Sequence, residues 1–323
     1  MKKAVLLVNL GTPVSPTYKD LRTYLNQFLS DRRVVNKCPY FWKPLLKGLL
    51  LQIIPQRSAK NYAKIWNTEL NESPLLTYTK SQVEKLQAKL SDQYFVDYAF
   101  TYDAGRKDRS IKAKMQELTA NGYNDITVLP LYPQYSVSTT ASIFEQVGDS
   151  FKSLQYIPTV KIIDSYFKNE LYINSLVNSV KNTITDKTTD LVCSFHGVPV
   201  SYIEKGDVYE AHCQYTFEQL KAQLVKQGIK LNLHLAYQSQ FGRDEWLGPK
   251  TDATINKLAE EGIKNIAVMT PGFAVDCIET LEEIAMEAKQ EFIEHGGEEF
   301  IFIDCLNASD DAIALFEDII KNK

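Results

Sequence analysis

The sequence predicts an α/β fold made of two copies of one unit, each a parallel sheet wound by helices. Three observations predict it. Short strand-like runs alternate with helical patterns from end to end. Most of these runs are continuously apolar, the pattern of strands covered by helices on both faces. The two halves of the chain also present the same landmarks in the same order. Such an alternation, met twice, gives two helix-covered parallel sheets.

In the first half the candidate strands are Ala4–Asn9, Phe95–Thr101, Ile126–Leu131 and Val160–Asp164. In the second half they are Asp190–Ser194, Leu231–Tyr237, Ile266–Thr270 and Phe300–Asp304. The first of them ends in Asn9-Leu10-Gly11-Thr12-Pro13, a turn composition that stops the strand. Helical patterns fill the gaps at Tyr18–Leu29, Tyr78–Lys89, Asp108–Asn121 and Phe167–Thr183. They continue at Glu210–Gln227, Thr251–Glu261, Ile278–Glu294 and Ala308–Lys321.

The repeat is legible in letters. LVNLGTPVS, ending at Ser15, aligns with VCSFHGVPVS, ending at Ser201. NGYNDITVLP, from Asn121, aligns with EGIKNIAVMTP, from Glu261, and YAFTY, from Tyr98, resembles HLAYQS, from His234. Duplication of one unit places a ligand cleft between the copies, at the carboxyl ends of the strands. The expected domains are residues 1–165 and 166–323, with the last helix packing across them. The first copy also carries an insert, residues 39–55, the most apolar segment of the chain. It is bracketed by Pro39 and Pro55 and dotted with Lys43 and Lys47. Two readings stand: a buried helix, or an exposed lip that meets a membrane surface or an oily ligand.

Composition excludes several classes. The 323 residues suit two domains of about 150 residues each. Lys plus Arg number 36 and Asp plus Glu 40, a net charge of −4 without the basic stripe of a nucleic-acid binder. Hydrophobic residues at 44% exclude a mainly disordered chain. The five cysteines are scattered with no CxxC pair, so a reducing compartment is expected rather than a disulfide framework. The N-terminal apolar run is too short for a signal peptide, and no stretch of about 18 apolar residues spans a bilayer. There is no GxGxxG, Walker A, GxSxG or HExxH motif, which leaves nucleotide-dependent and hydrolytic functions without support.

Two features carry chemistry. His196 stands in Ser194-Phe195-His196-Gly197-Val198-Pro199, directly after a predicted strand, where α/β proteins place reacting groups. Its imidazole can accept a proton or bind a metal; the plainer alternative is a hydrogen-bonded loop histidine. His212, His234 and His295 fall on helix or strand positions and are not functional candidates. The second feature is Glu279, Glu283 and Glu287, spaced i, i+4, i+8 along a predicted helix. Like charges at that spacing repel unless a cation lies among them. Weak oxygen ligands in a row suit transit of a divalent ion, and the alternative is a solvated face capped by Asp276. Around these, Tyr132, Tyr135, Ser138 and Trp246 offer aromatic and small polar lining for a flat ring, and Arg57 or Arg243 can pair with a carboxylate.

With these motifs quoted, the sequence resembles the ferrochelatases, enzymes that insert ferrous iron into a porphyrin to make haem. The matching stretches are NLGTP (Asn9–Pro13), FLSDRRVV (Phe28–Val35), ESPL (Glu72–Leu75) and LYPQYSVSTT (Leu131–Thr140). SFHGVP (Ser194–Pro199), YQSQFGRDEWLGPKTD (Tyr237–Asp252) and PGFAVDCIETLEEI (Pro271–Ile284) complete a set that spans nearly the whole chain in the family's order. The resemblance implies two similar Rossmann-like domains of the class II chelatase type with a porphyrin cleft between them. It implies His196 and Glu279 as catalytic residues, with His196, Glu279, Glu283 and Asp276 on positions linked to metal delivery or proton removal. Leu10, Arg57, Tyr135, Ser138, Trp246 and Phe273 are the expected substrate-binding residues, and residues 39–55 match the family's active-site lip. The lip touches the membrane in some members, so a peripheral membrane contact of a cytoplasmic protein is expected.

The implied reaction releases two pyrrole protons as the metal enters. A ring held in a saddled shape turns its nitrogen lone pairs toward the arriving ion. Iron is a substrate here; no permanently bound cofactor and no iron–sulfur cluster is expected. Leu10 stands where coproporphyrin users tend to place a Tyr, which favours protoporphyrin IX. Thr101 replaces a frequent Arg, and Cys277 replaces the His of animal members. The rival functions are a cobalt or nickel chelatase of the same fold, and a haem or iron carrier without turnover.

Overall fold

The first strand buries every residue from Ala4 to Asn9, which is possible only where helices cover both faces of its sheet. The computed structural model describes residues 2–240, 242 and 244–322. By their internal contacts they divide into two units, residues 1–165 with 316–323, and residues 166–315.

In the first unit β1 (Lys2–Asn9), β2 (Phe95–Phe100), β3 (Tyr123–Pro130) and β4 (Thr159–Ile162) form a parallel sheet in the order β2-β1-β3-β4. In the second, β5 (Asp190–His196), β6 (Asn232–Gln238), β7 (Asn265–Met269) and β8 (Glu299–Ile303) take the order β6-β5-β7-β8. The two orders are the same, so the repeat seen in the letters is a repeat of topology. In each sheet the chain leaves the central strand to one side and returns to pair with it on the other. The loops after β1 and β3, and after β5 and β7, therefore diverge and open a crevice at the carboxyl ends of the strands.

The helices follow their caps. Thr17 caps α1 (Tyr18–Ser30), Ser73 caps α4 (Pro74–Leu90), Ser110 caps α5 (Ile111–Ala120) and Asn169 caps α7 (Glu170–Thr183). Each accepts a backbone N–H in the first turn, which satisfies a group that the helix leaves open. Between α1 and α4, the apolar insert forms α2 (Pro39–Leu45), a π turn at Leu46–Leu50, and α3 (Leu51–Ile65). The unit cores are separate. Ala4, Leu6, Val8, Met115, Ile126 and Val128 belong to one, and Val192, Ala236, Ile255, Ile266, Val268 and Phe292 to the other.

Two departures from expectation bear on the site's surroundings. Thr140–Phe151 is a helix, α6, which the sequence pattern leaves unassigned because Gly148 interrupts it. The predicted helix Ile278–Glu294 is broken. A short α11 (Ile278–Leu281) passes into a π turn (Glu283–Ala288) and then α12 (Lys289–Glu294). The Glu287 N–H reaches the Glu282 carbonyl at 2.9 Å, an i to i+5 bond. The acidic stripe therefore lies on a widened turn and not on a regular helix face. The remaining helices of the second unit are α8 (Val200–Glu204), α9 (Tyr209–Lys226) and α10 (Thr251–Glu260), and α13 (Asp310–Asn322) closes the chain.

Candidate active site

His196 is the last residue of β5, two positions further along than the predicted strand end. Its Nδ1 lies 2.6 Å from the Gly197 carbonyl oxygen. A carbonyl only accepts, so Nδ1 carries the hydrogen, and the neutral ring keeps its lone pair on Nε2. The Phe273 ring stands beside it, with centroids 6.3 Å apart and the planes inclined by 52°. Gly197 is required by close approach. A Cβ there would lie 2.8 Å from the Gln238 carbonyl oxygen and 3.3 Å from Trp246 Cε3. Trp246 thus packs over the glycine that follows the histidine, and a bridge between Pro199 and Trp246 holds it there.

Glu279 sits in the first turn of α11, behind the loop that follows β7. Cys277 caps that turn, its N–H donating to Thr280 Oγ1 at 3.0 Å. Burial, with the Glu279 charge next, pushes the Cys277 thiol up, so it stays protonated. Glu283 begins the π turn. Its Oε2 accepts from Ser239 Oγ at 2.6 Å and from Gln238 Nε2 at 3.5 Å. Burial raises the Glu283 carboxyl above the ordinary range and the charge of Glu279 adds to this. The Ser239 hydroxyl, His196 and Gln238 pull the other way. Glu283 is therefore an electrostatic neighbour of both His196 and Glu279. Glu283 also lines a cavity of about 290 Å³, together with Glu287, Glu291, Asp252 and Lys250. Glu291 was not singled out in the sequence; the i+4 step beyond Glu287 was the available signal.

Asp276 is placed differently. It is 1% exposed, and both carboxylate oxygens are committed to protein donors. Oδ1 accepts from Thr280 Oγ1 at 2.9 Å and from the Cys305 N–H at 3.3 Å, and Oδ2 accepts from Asn307 Nδ2 at 2.6 Å. It ties the loop after β7 to the loop after β8. Among the described residues, no three His, Cys, Asp or Glu side chains are gathered closely enough to hold a metal ion. The other histidines are engaged elsewhere: His234 Nε2 with Asp190 at 2.7 Å, His212 stacked on Phe167, and His295 Nδ1 at the Glu291 carbonyl.

The first unit repeats the plan. Leu10 follows β1 as the repeat counterpart of His196, and Gly11 is the counterpart of Gly197. Gly11 has φ +111°, and a Cβ there would collide with the Tyr102 carbonyl oxygen. The Leu10 carbonyl accepts the Tyr102 N–H at 2.9 Å. Thr101 is buried and its hydroxyl turns back onto the Asn9 carbonyl at 3.3 Å. Leu10, Tyr135 and Ser138 are half-buried in the loops after β1 and β3. Arg57 is exposed on α3, and Arg243 lies outside the described residues.

The Ferrochelatase family profile matches residues 2–323. The chain belongs to the ferrochelatase family. It is 45% identical over 324 residues to a ferrochelatase of Rhodopseudomonas palustris (strain BisB5), covering 99% of this chain and 92% of the relative. It is 45% identical over 321 residues to the ferrochelatase of Bradyrhizobium diazoefficiens, covering 98% and 91%. Among solved structures it resembles SirB from Bacillus subtilis with Fe3+, at TM-score 0.61, 11% identity, and 99% and 95% coverage. That likeness establishes the two-unit class II chelatase fold and no more. Within the ferrochelatase family, the His196 and Glu279 positions quoted from the sequence fall on the crevice of one unit. The residues whose role the sequence leaves unassigned are Gln238 and Ser239, which stand there only within YQSQFGRDEWLGPKTD; their repeat position in HLAYQS is the available hint.

Proposed function

We infer that this protein inserts ferrous iron into protoporphyrin IX, releasing two protons, as a lyase of haem synthesis. One observation supports the assignment of the chemistry to named groups. His196 keeps its Nε2 lone pair free of the 2.6 Å Nδ1 bond, and the Glu283 carboxylate is an electrostatic neighbour of both His196 and Glu279. A dianionic porphyrin and Fe2+ form a neutral core, so each pyrrole proton must have an acceptor. His196 Nε2 takes a proton or meets the iron, and Glu279 is its partner in the step. Glu283, Glu287 and Glu291 lead hydrated iron inward by weak oxygen ligation, which suits a substrate ion better than a stored one. Asp276 acts as the brace of the Glu279 turn.

Leu10, Tyr135 and Ser138 of the first unit and Trp246 and Phe273 of the second are the substrate-binding residues, and Arg57 pairs with a propionate. Leu10 in place of a metal-reaching Tyr favours protoporphyrin. The lip contacts a membrane surface from the cytoplasmic side. Tyr40 and Phe41 are 88% and 81% exposed and Lys43 and Lys47 lie among them, while Leu46 and Leu51 are buried beneath. No described helix is long and apolar enough to cross a membrane.

The test is anaerobic iron insertion into protoporphyrin and coproporphyrin by the wild type, His196→Ala and Glu279→Gln. Turnover with protoporphyrin, lost in both variants while porphyrin binding persists, is the expected result. Full activity in either variant would remove that residue from the chemistry.

A further inference from the structure

Gln238 ends β6 and is only 4% exposed. Its amide and its carbonyl together grip three elements. Oε1 accepts from Ser194 Oγ at 2.7 Å, and Ser194 Oγ lies 2.7 Å from Thr251 Oγ1. Nε2 donates to the Glu279 carbonyl at 2.7 Å and reaches Glu283 Oε2 at 3.5 Å. The Gln238 carbonyl accepts the Gly197 N–H at 2.7 Å. On one side these bonds hold the strand end that carries His196. On the other they hold the turn that carries Glu279, where α11 gives way to the π turn.

We propose that Gln238 is a positioning residue for iron insertion, holding His196 and the Glu279–Glu283 pair at a fixed spacing through its bonds to Ser194, Gly197 and Glu279. The inference rests on His196 and Glu279 as the reacting pair. The residue type follows from the bonds. An amide accepts from a hydroxyl at one atom and donates to a carbonyl at the other while staying uncharged beside the Glu283 carboxylate. A carboxylate would face the Glu279 carbonyl with a second acceptor, and an apolar chain would leave Ser194 and the Glu279 carbonyl without these bonds. The arrangement needs this rigidity because a misplacement of about 1 Å between reacting groups costs on the order of a hundredfold in rate.

The experiment compares Gln238→Met, Gln238→Glu, Ser194→Ala and Ser194→Ala/Gln238→Met with wild type in the full chain. Readouts are kcat and KM for protoporphyrin with Fe2+, porphyrin binding by fluorescence quenching, and Tm. Gln238→Met is expected to lower kcat by roughly tenfold to a hundredfold, with KM within about twofold. Gln238→Glu should lower kcat in the same way. Ser194→Ala should lower kcat by less. It should add nothing to Gln238→Met, because the hydroxyl acts through the amide. An unchanged kcat in Gln238→Met would overturn the proposal. So would a raised KM with kcat kept, or independent, multiplying effects of the two single changes. If Gln238→Met does not fold, Gln238→Glu and Ser194→Ala decide it by the same kcat criterion. His196→Ala and Glu279→Gln run alongside. Full activity there would sink the underlying pair, whereas their loss with an unaffected Gln238→Met would sink the positioning role alone.

Discussion

Ser239 donates its hydroxyl to the Glu283 carboxylate at 2.6 Å from a backbone held at φ +62°. A left-handed serine is uncommon, and here it aims the hydroxyl at a carboxylate whose proton affinity burial has raised. The folded protein keeps a proton on Glu283 to higher pH than the unfolded chain does. The resulting contribution to stability is complete below the ordinary value of 4.5 and is lost as pH rises through the folded-state value. Glu283→Gln should therefore match wild type in acid and gain on it in Tm as the pH rises through that window. Thermal melts over a pH series check this; a constant difference would contradict it. Ser239→Ala, which removes a bond favouring the ionised form, should extend the window upward.

Gly197→Ala should damage both stability and turnover. The new Cβ would meet a backbone oxygen at 2.8 Å, so β5 and β6 must part at the residue beside His196. A cost of about 1–3 kcal/mol is expected for such overpacking. Gly11→Ala, its repeat counterpart, combines a backbone collision with φ +111° and should cost more. Chemical denaturation of both variants gives the ranking.

Asp276 offers a test between a ligand and a brace. Asp276→Ala would strip an acceptor from the Thr280 hydroxyl, the Cys305 N–H and the Asn307 amide at once. Losing a buried network of that size should cost about 2–4 kcal/mol, with activity falling in proportion to folded protein. Unchanged Tm with lost iron insertion would instead make Asp276 a participant in the chemistry.

Tyr40→Ser/Phe41→Ser should leave Tm nearly unchanged, because both rings are largely exposed. Flotation with vesicles containing anionic lipid should fall several-fold, since the aromatic rings and the neighbouring lysines would act together at the headgroup level. Equal flotation would end the membrane role. A change at Trp42 would not serve, since its Nε1 is tied to the Leu29 carbonyl at 2.7 Å.

Eight strands were legible because a buried parallel strand must be apolar on both faces, and that demand is written residue by residue. His196 and Glu279 were legible for a related reason: a strand end next to a glycine, and a loop entering an acidic helix, are local patterns. Helix Thr140–Phe151 was not, because Gly148 interrupts its pattern.

Local spacing could suggest that Glu279, Glu283 and Glu287 share a helix face, but it could not reveal the π turn that re-spaces them, since that turn is set by packing. Nor could it separate Asp276 from the other carboxylates. All are acidic residues within one motif, and only the folded chain brings Asn307 and Cys305, about 30 positions away, onto one of them. Gln238 shows the same division most clearly. The letters place it at the end of a strand, and the fold alone gives it Ser194, Gly197 and Glu279 as partners. Apolar periodicity is encoded along the chain, whereas hydrogen-bond partnership among buried polar groups is decided across it.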